Sequence, residues 1–113
     1  MCGIAGVFAT GNKPICVEDL DHFVDAMRHR GPDGHGTWMS ESKRIGLAHN
    51  RLAIIDLDDR AAQPMSDGDG WTIVFNGEIY NYKSLRVELS QLGFRFHTSS
   101  DTEVVLNAYR CWG

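Results

Sequence analysis

Long hydrophobic runs are missing from this sequence. No stretch approaches the roughly 20 apolar residues that a membrane-spanning helix needs, and the first residues lack the basic start and apolar core of a secretory signal. The chain is therefore expected in the cytoplasm, with no membrane partner. Cysteine is sparse: Cys2, Cys16 and Cys111 are an odd, scattered set without a C-x-x-C pair, which argues against a disulfide framework or a zinc knuckle. The histidines are dispersed and none stands at ligand spacing from another, so no metal site is expected. There is no basic run either, and the formal net charge of −4 speaks against nucleic acid as a partner. A phosphate-binding glycine loop is also absent, so no cofactor is expected within the chain itself.

What is present is the mixture of an ordinary globular protein, and 113 residues suffice for one domain with a modest core. Residues 3–9 are small, β-branched or aromatic and end in Thr10-Gly11-Asn12, which predicts a buried strand. Leu20, Phe23, Val24 and Met27 then recur at helical spacing after Val17, the stripe of an amphipathic helix with Glu18 and Asp19 in its first turn. Residues 29–34 (His-Arg-Gly-Pro-Asp-Gly) must be a loop, because Pro32 restricts Gly31 and two glycines interrupt any regular element.

Strands are expected over residues 36–39 and 45–55, joined by the polar turn 40–44, with a long irregular connection over 56–70. A further strand is read at 71–75, ending in Asn76-Gly77, a turn dipeptide whose residues tolerate positive φ. A second helix starts near Tyr82 with Leu85, Leu89 and Leu92 on one side and stops at Gly93. A short strand follows at 94–98. Ser100-Asp101-Thr102-Glu103 matches the S-x-x-E capping box, and Val105, Ala108, Tyr109 and Trp112 form the expected apolar stripe of a third helix. Cys16 and Cys111 are read as inert packing residues. The expected fold class is α+β. Strands apolar enough to be covered on both faces have little material here to cover them, which suggests that the chain is part of a longer one.

The residue with the most chemistry is Cys2. A small second residue lets Met1 be removed, which would leave Cys2 with a free α-amine beside its own thiol. The thiolate is the nucleophilic form, and an α-amine titrates at about 7.7 to 8.0. Nucleophile and base would then share one residue, as in the N-terminal threonine arrangement. Other positions have two readings. Asn76-Gly77 is either a plain turn or a pair of donors for an oxyanion. Arg51 is either a solvated strand-end arginine or a carboxylate-binding fork.

Five segments occur together: Met1 to Gly6, residues 29–34, Arg51-Leu52-Ala53-Ile54-Ile55-Asp56, Phe75-Asn76-Gly77-Glu78-Ile79-Tyr80-Asn81, and Ser99 to Glu103. In this order and spacing they resemble the class II glutamine amidotransferases, N-terminal nucleophile hydrolases, and most of all the glutaminase domain of glutamine-dependent asparagine synthetases. The resemblance covers residues 1–113 and implies the first half of a four-layer αββα sandwich, truncated on its C-terminal side. It implies that Cys2 attacks the side-chain amide of glutamine to form a thioester, with Asn76 and Gly77 as the oxyanion hole. Arg51, Leu52, Ala53, Ile54 and Ile55 would bind the substrate around its α-carboxylate, and Glu78 and Asp101 would lie near its α-amine. Asp101 also suits the first turn of a helix, and the two readings are compatible. Asn50 stands where the family has arginine, outside the binding set.

The resemblance further implies a C-terminal synthetase domain in a longer chain, using ATP and magnesium to make asparagine from aspartate; a homodimer is one option, and the sequence leaves the oligomeric state open. Sister enzymes making glucosamine 6-phosphate or phosphoribosylamine share the Cys2 chemistry. A non-catalytic fragment or binding module is the alternative from another class.

Overall fold

Strands β1 (Gly3–Phe8), β2 (Gly34–Met39) and β3 (Ile45–Arg51) form an antiparallel sheet in the order β1-β3-β2, in a computed structural model that describes residues 2–52 and 61–113. The central strand pairs with β1 from Gly3↔Asn50 to Phe8↔Ile45 and with β2 from Gly34↔Arg51 to Met39↔Gly46. A tight turn makes the second pairing: Ser40 Oγ accepts from the N–H groups of Arg44 and Ile45 at 3.2 and 3.1 Å, and Lys43 adopts φ of 57°. The expected strand over 45–55 therefore runs as far as Arg51, and its residues 53–55 lie outside the described residues.

Helix α1 (Val17–Ala26) covers one face of this sheet. Side chains alternate along a strand, so Gly3, Ala5 and Val7 face one way and Ile4, Gly6 and Phe8 the other. The first face meets α1, where Leu20 is 1 % exposed and Val24 is buried beside it. Burying two such side chains contributes about 1.5–3 kcal/mol each. Gly46 permits this contact, since a Cβ there would lie 2.7 Å from Leu20 Cδ2. The opposite face carries Phe8, 65 % exposed, with Ile4 and Ile45 also exposed. Cys16 precedes α1 and is exposed. It is not the packing residue expected, because its N–H and thiol both turn to the Asp19 carboxylate at 3.3 and 3.1 Å. That hydrogen bond raises the pKa of the Cys16 thiol, which keeps it in its poorly nucleophilic form.

The second half of the chain is built differently. Strands β4 (Met65–Ser66) and β5 (Thr72–Ile73) form a two-residue ladder. The expected strand 71–75 contracts to β5 because its ends are taken by side chains: Trp71 N–H donates to Asp67 Oδ1 at 3.1 Å, and Phe75 N–H donates to Gln63 Oε1 at 2.6 Å. Helix α2 (Tyr82–Gln91) ends as read, with Gly93 at φ of 98°. Leu92 lies just past its last turn and is exposed.

No strand forms over 94–98. The N–H groups of His97 and Thr98 go to the Glu103 carboxylate at 2.8 and 2.7 Å, and the Thr98 carbonyl accepts from Arg86 Nη1 at 2.6 Å. Helix α3 (Asp101–Trp112) starts at the Ser100 cap, whose hydroxyl accepts from Thr102 N–H at 3.1 Å. Glu103 reaches past Ser100 to Thr98 instead of closing the reciprocal box. The buried face of α3 is also not the expected stripe. Thr102, Glu103, Val104, Leu106 and Asn107 are buried, whereas Tyr109 is 56 % exposed and Trp112 is exposed too. Glu103 is buried with the His97 and Thr98 N–H groups that it accepts from, Thr102 with the Gln63 amide that donates to it, and Tyr109 instead meets Trp71 edge-on at 5.1 Å. The class is α+β, with mixed strands and helices compatible with part of an N-terminal nucleophile fold.

Candidate active site

An open cavity of about 490 Å³ lies between the end of the sheet and the loops before α2 and α3. Cys2, Arg51 and Leu52 line it from the sheet side, Asn76, Gly77, Glu78 and Ile79 from the loop, and Asp101 from the start of α3. The structure thus brings together seven residues singled out in the sequence: Cys2, Arg51, Leu52, Asn76, Gly77, Glu78 and Asp101. Ala53, Ile54 and Ile55 lie outside the described residues.

The Gly3↔Asn50 register puts the residue before β1 beside the residues that end β3. Cys2 is half-buried there. Its Sγ accepts from the Leu52 N–H at 3.3 Å and lies 3.7 Å from the Leu52 carbonyl. That contact holds the sulfur at the edge of the cavity. The Cys2 carbonyl accepts from Arg30 Nε at 3.3 Å, which gives the 29–34 loop a positional role that residue types alone did not reveal. In the same loop Asp33 N–H donates to the Arg51 carbonyl at 2.9 Å, and a Cβ on Gly31 would lie 2.3 Å from the Asn50 carbonyl carbon. Asn50 itself turns away from the cavity and donates to the Val24 carbonyl at 3.1 Å.

On the opposite wall, neither Asn76 nor Gly77 adopts a positive φ, so the expected reason for glycine is corrected. Glycine is needed at 77 because a Cβ would lie 2.9 Å from the Phe75 ring. The Asp101 carboxylate accepts from Ile79 N–H at 3.1 Å and so fixes the loop that carries Glu78. Gln63 also lines the cavity. Its Oε1 holds Phe75, and its Nε2 donates to Thr102 Oγ1 at 3.1 Å. Nothing in the local sequence around Gln63 marked it, because its partners are 12 and 39 residues away.

His49 lies at the junction of the two walls, 2 % exposed. Burial first, and then the Arg51 charge, push its pKa down from 6.5 to about 4, against a backbone hydrogen bond with Phe75 that pulls it up. The imidazole is neutral at neutral pH, with Nε2 unpartnered among the described residues. Among those residues no group of three or more His, Cys, Asp or Glu could hold a metal ion, and no helix is long and apolar enough to cross a membrane. The arrangement offers a thiol, hydrogen-bond donors opposite it and charges of both signs on one rim. Those are the parts needed for acyl transfer from a zwitterionic amide.

Comparison with known proteins agrees with that chemistry. The family model of the glutamine amidotransferase domain matches residues 1–113. An asparagine synthetase (glutamine-hydrolyzing) of Bacillus subtilis is 42 % identical over 97 % of this chain and 18 % of its own length. A putative asparagine synthetase (glutamine-hydrolyzing) of Methanocaldococcus jannaschii is 37 % identical over 100 % of this chain and 24 % of its own. The Gibberella zeae protein named amidase chry2 is 36 % identical over 100 % of this chain and 18 % of its own length. The chain spans about a fifth of the length of these curated relatives.

Proposed function

Since the chain belongs to the glutamine amidotransferase domain family, we propose that it hydrolyses the side-chain amide of glutamine and supplies the ammonia for asparagine synthesis in a longer polypeptide. The observation that carries this reading is the position of Cys2 Sγ, held by the Leu52 N–H on the wall of a cavity shared with Arg51, Asn76, Gly77 and Asp101.

In the proposed reaction Met1 is removed and the α-amine of Cys2 takes the thiol proton. The thiolate adds to the amide carbon, and the oxyanion accepts hydrogen bonds from the Asn76 side-chain amide and the Gly77 N–H. Each such donor contributes about 2.7–4 kcal/mol to the transition state. The Cys2 ammonium passes its proton to the departing nitrogen, ammonia leaves, and a γ-glutamyl thioester remains. Water activated by the same amine adds to the thioester, releasing glutamate and restoring the thiol. Arg51 pairs with the substrate α-carboxylate, and Glu78 and Asp101 flank the α-ammonium. A cytoplasmic, reducing compartment keeps Cys2 in the thiol form this cycle needs.

ATP and magnesium enter this proposal only through a synthetase domain elsewhere in the longer chain, which would activate aspartate for attack by ammonia. The family's αββα sandwich would lay a second sheet on the apolar face that carries Ile4, Phe8 and Ile45. The test is Cys2→Ala in the full-length protein. Glutamate release from glutamine is expected to fall by about 10⁴-fold or more, with synthesis from free ammonia and the unfolding midpoint retained. Persistent glutaminase activity in that variant refutes the reading.

A further inference from the structure

Two walls must be a fixed distance apart if a cavity is to accept one side-chain length and reject another. The oxyanion-binding turn at Asn76-Gly77 meets the reacting end of the substrate, and the start of α3, with Asp101, meets its α-amine. A single side chain ties these two places together. The carbonyl oxygen of the Gln63 amide accepts from Phe75 N–H at 2.6 Å, next to the turn. The nitrogen of the same planar amide donates to Thr102 Oγ1 at 3.1 Å, next to Asp101. Glutamine suits this task because one rigid group presents an acceptor and a donor.

The tie is anchored at both ends and in the middle. The Gln63 backbone is seated against the sheet, since a Cβ on Gly36 would lie 2.3 Å from the Gln63 carbonyl oxygen. Thr102 is buried on α3. The Phe75 ring lies under Gly77, where a Cβ would lie 2.9 Å from it, so a shift of Phe75 carries the turn with it.

We propose that Gln63 is a positioning residue that sets the spacing between the oxyanion-binding turn and the amine-binding end of the site, and thereby selects glutamine over its one-methylene-shorter analogue. The proposal rests on the glutaminase reading above. One methylene in a binding site is worth about 10–200-fold in discrimination, which is the range open to such a device. Gln63 touches neither substrate nor nucleophile in this scheme; it acts through Phe75 and Thr102.

The test uses the full-length protein and two electrophiles, the diazoketone analogue of glutamine and that of asparagine, each of which alkylates a thiol with loss of dinitrogen. The readout is the ratio of their labelling rates at Cys2, followed by mass. Gln63→Met has similar length but loses both hydrogen bonds, and is expected to lower the glutamine-to-asparagine ratio about tenfold. Thr102→Val cuts only the α3 end and lowers the ratio less. Gln63→Glu should restore the ratio, because a carboxylate still accepts from Phe75 N–H and the Thr102 hydroxyl can turn to donate to it.

An unchanged ratio in both Gln63→Met and Thr102→Val, with the two rates falling in parallel, overturns the proposal and reduces Gln63 to a structural residue. If the unsubstituted protein is labelled at Cys2 by neither analogue, the glutaminase reading fails and this proposal falls with it. Labelling of the unsubstituted protein with an unaltered ratio in the variants defeats only the role of Gln63.

Discussion

The two walls of the cavity are held by different means. On the sheet side, Arg51 ends β3 and Cys2 precedes β1, so both are delivered by a ladder whose register runs unbroken from Gly3↔Asn50 to Phe8↔Ile45. On the loop side, Asn76, Gly77 and Asp101 stand in or beside segments whose N–H groups go to the side chains of Gln63, Asp101 and Glu103. A ladder shares its load over many backbone bonds, so one polar side chain matters little to it. Its weak points are the glycines where another backbone comes close. A wall tied by side chains has the reverse sensitivity, tolerant of backbone spacing and exposed to the loss of any one tie.

The largest effect is expected from Gly31→Ala on the sheet side. The new Cβ would lie 2.3, 2.4 and 2.6 Å from three backbone atoms of Asn50 and Arg51, none of which can swing aside like a side-chain tip. Overpacking of this kind costs about 3 kcal/mol, read as a lowered denaturant midpoint. Because the displaced backbone is that of Arg51, KM for glutamine should rise as well. A variant with wild-type midpoint and KM would show that the sheet edge yields more easily than its ladder implies.

The same contrast explains what was legible in the sequence. Wherever an element is held by its own backbone, local patterns sufficed: β1 from its apolar run, α1 from Leu20 and Val24, the β2–β3 hairpin from its polar turn, and the end of α2 from Gly93. The readings failed wherever a side chain replaced a ladder partner. Residues 94–98 form no strand because Glu103 takes their N–H groups, and the strand at 71–75 shrinks because Gln63 and Asp67 take its ends. The stripe on α3 was misplaced for the same reason. Periodicity counts apolar residues and cannot see that Glu103 and Thr102 are buried with their partners.

The site divides in the same way. Its seven described residues were named in the sequence on the strength of motif resemblance, with Cys2 alone argued fully from chemistry. Arg30 stood in a named segment but without a role, and Gln63 went unnamed, since each acts on a neighbour 28 or 12 residues away.

On the loop side the next effect in size is that of Glu103→Ala. Glu103 is 6 % exposed, and its carboxylate accepts from His97 N–H, Thr98 N–H and the Thr98 hydroxyl, the last at 2.7 Å. Truncation leaves the buried Thr98 donors unsatisfied, and hydrogen bonds to a charged group with burial of this kind put the cost at about 2 kcal/mol. Thermal or urea unfolding measures it. Amide exchange at His97 and Thr98 should accelerate while exchange in β1 and β3 is unchanged in pattern. Equal acceleration in both regions would contradict the independence of the two walls.

His49 probes the junction between them, with the smallest expected effect. It belongs to β3, yet its imidazole makes a hydrogen bond with the Phe75 backbone on the loop side. Its folded pKa of about 4 lies below the ordinary 6.5, so on acidification the unfolded chain takes up the proton first. Stability from this group is fully present above about pH 6.5 and is lost as the pH falls toward about 4. Between about pH 7.5 and about pH 5.5 the loss amounts to about 1 kcal/mol. The pH dependence of the unfolding midpoint measures it, in a window above the range in which Asp19 and Asp25, both lowered from 3.8 chiefly by their hydrogen bonds to Cys16 and Arg28, titrate. His49→Gln removes the titration and should flatten this window. If the slope persists in His49→Gln, the proton is taken up elsewhere, and the contact between the walls is looser than the burial of His49 implies.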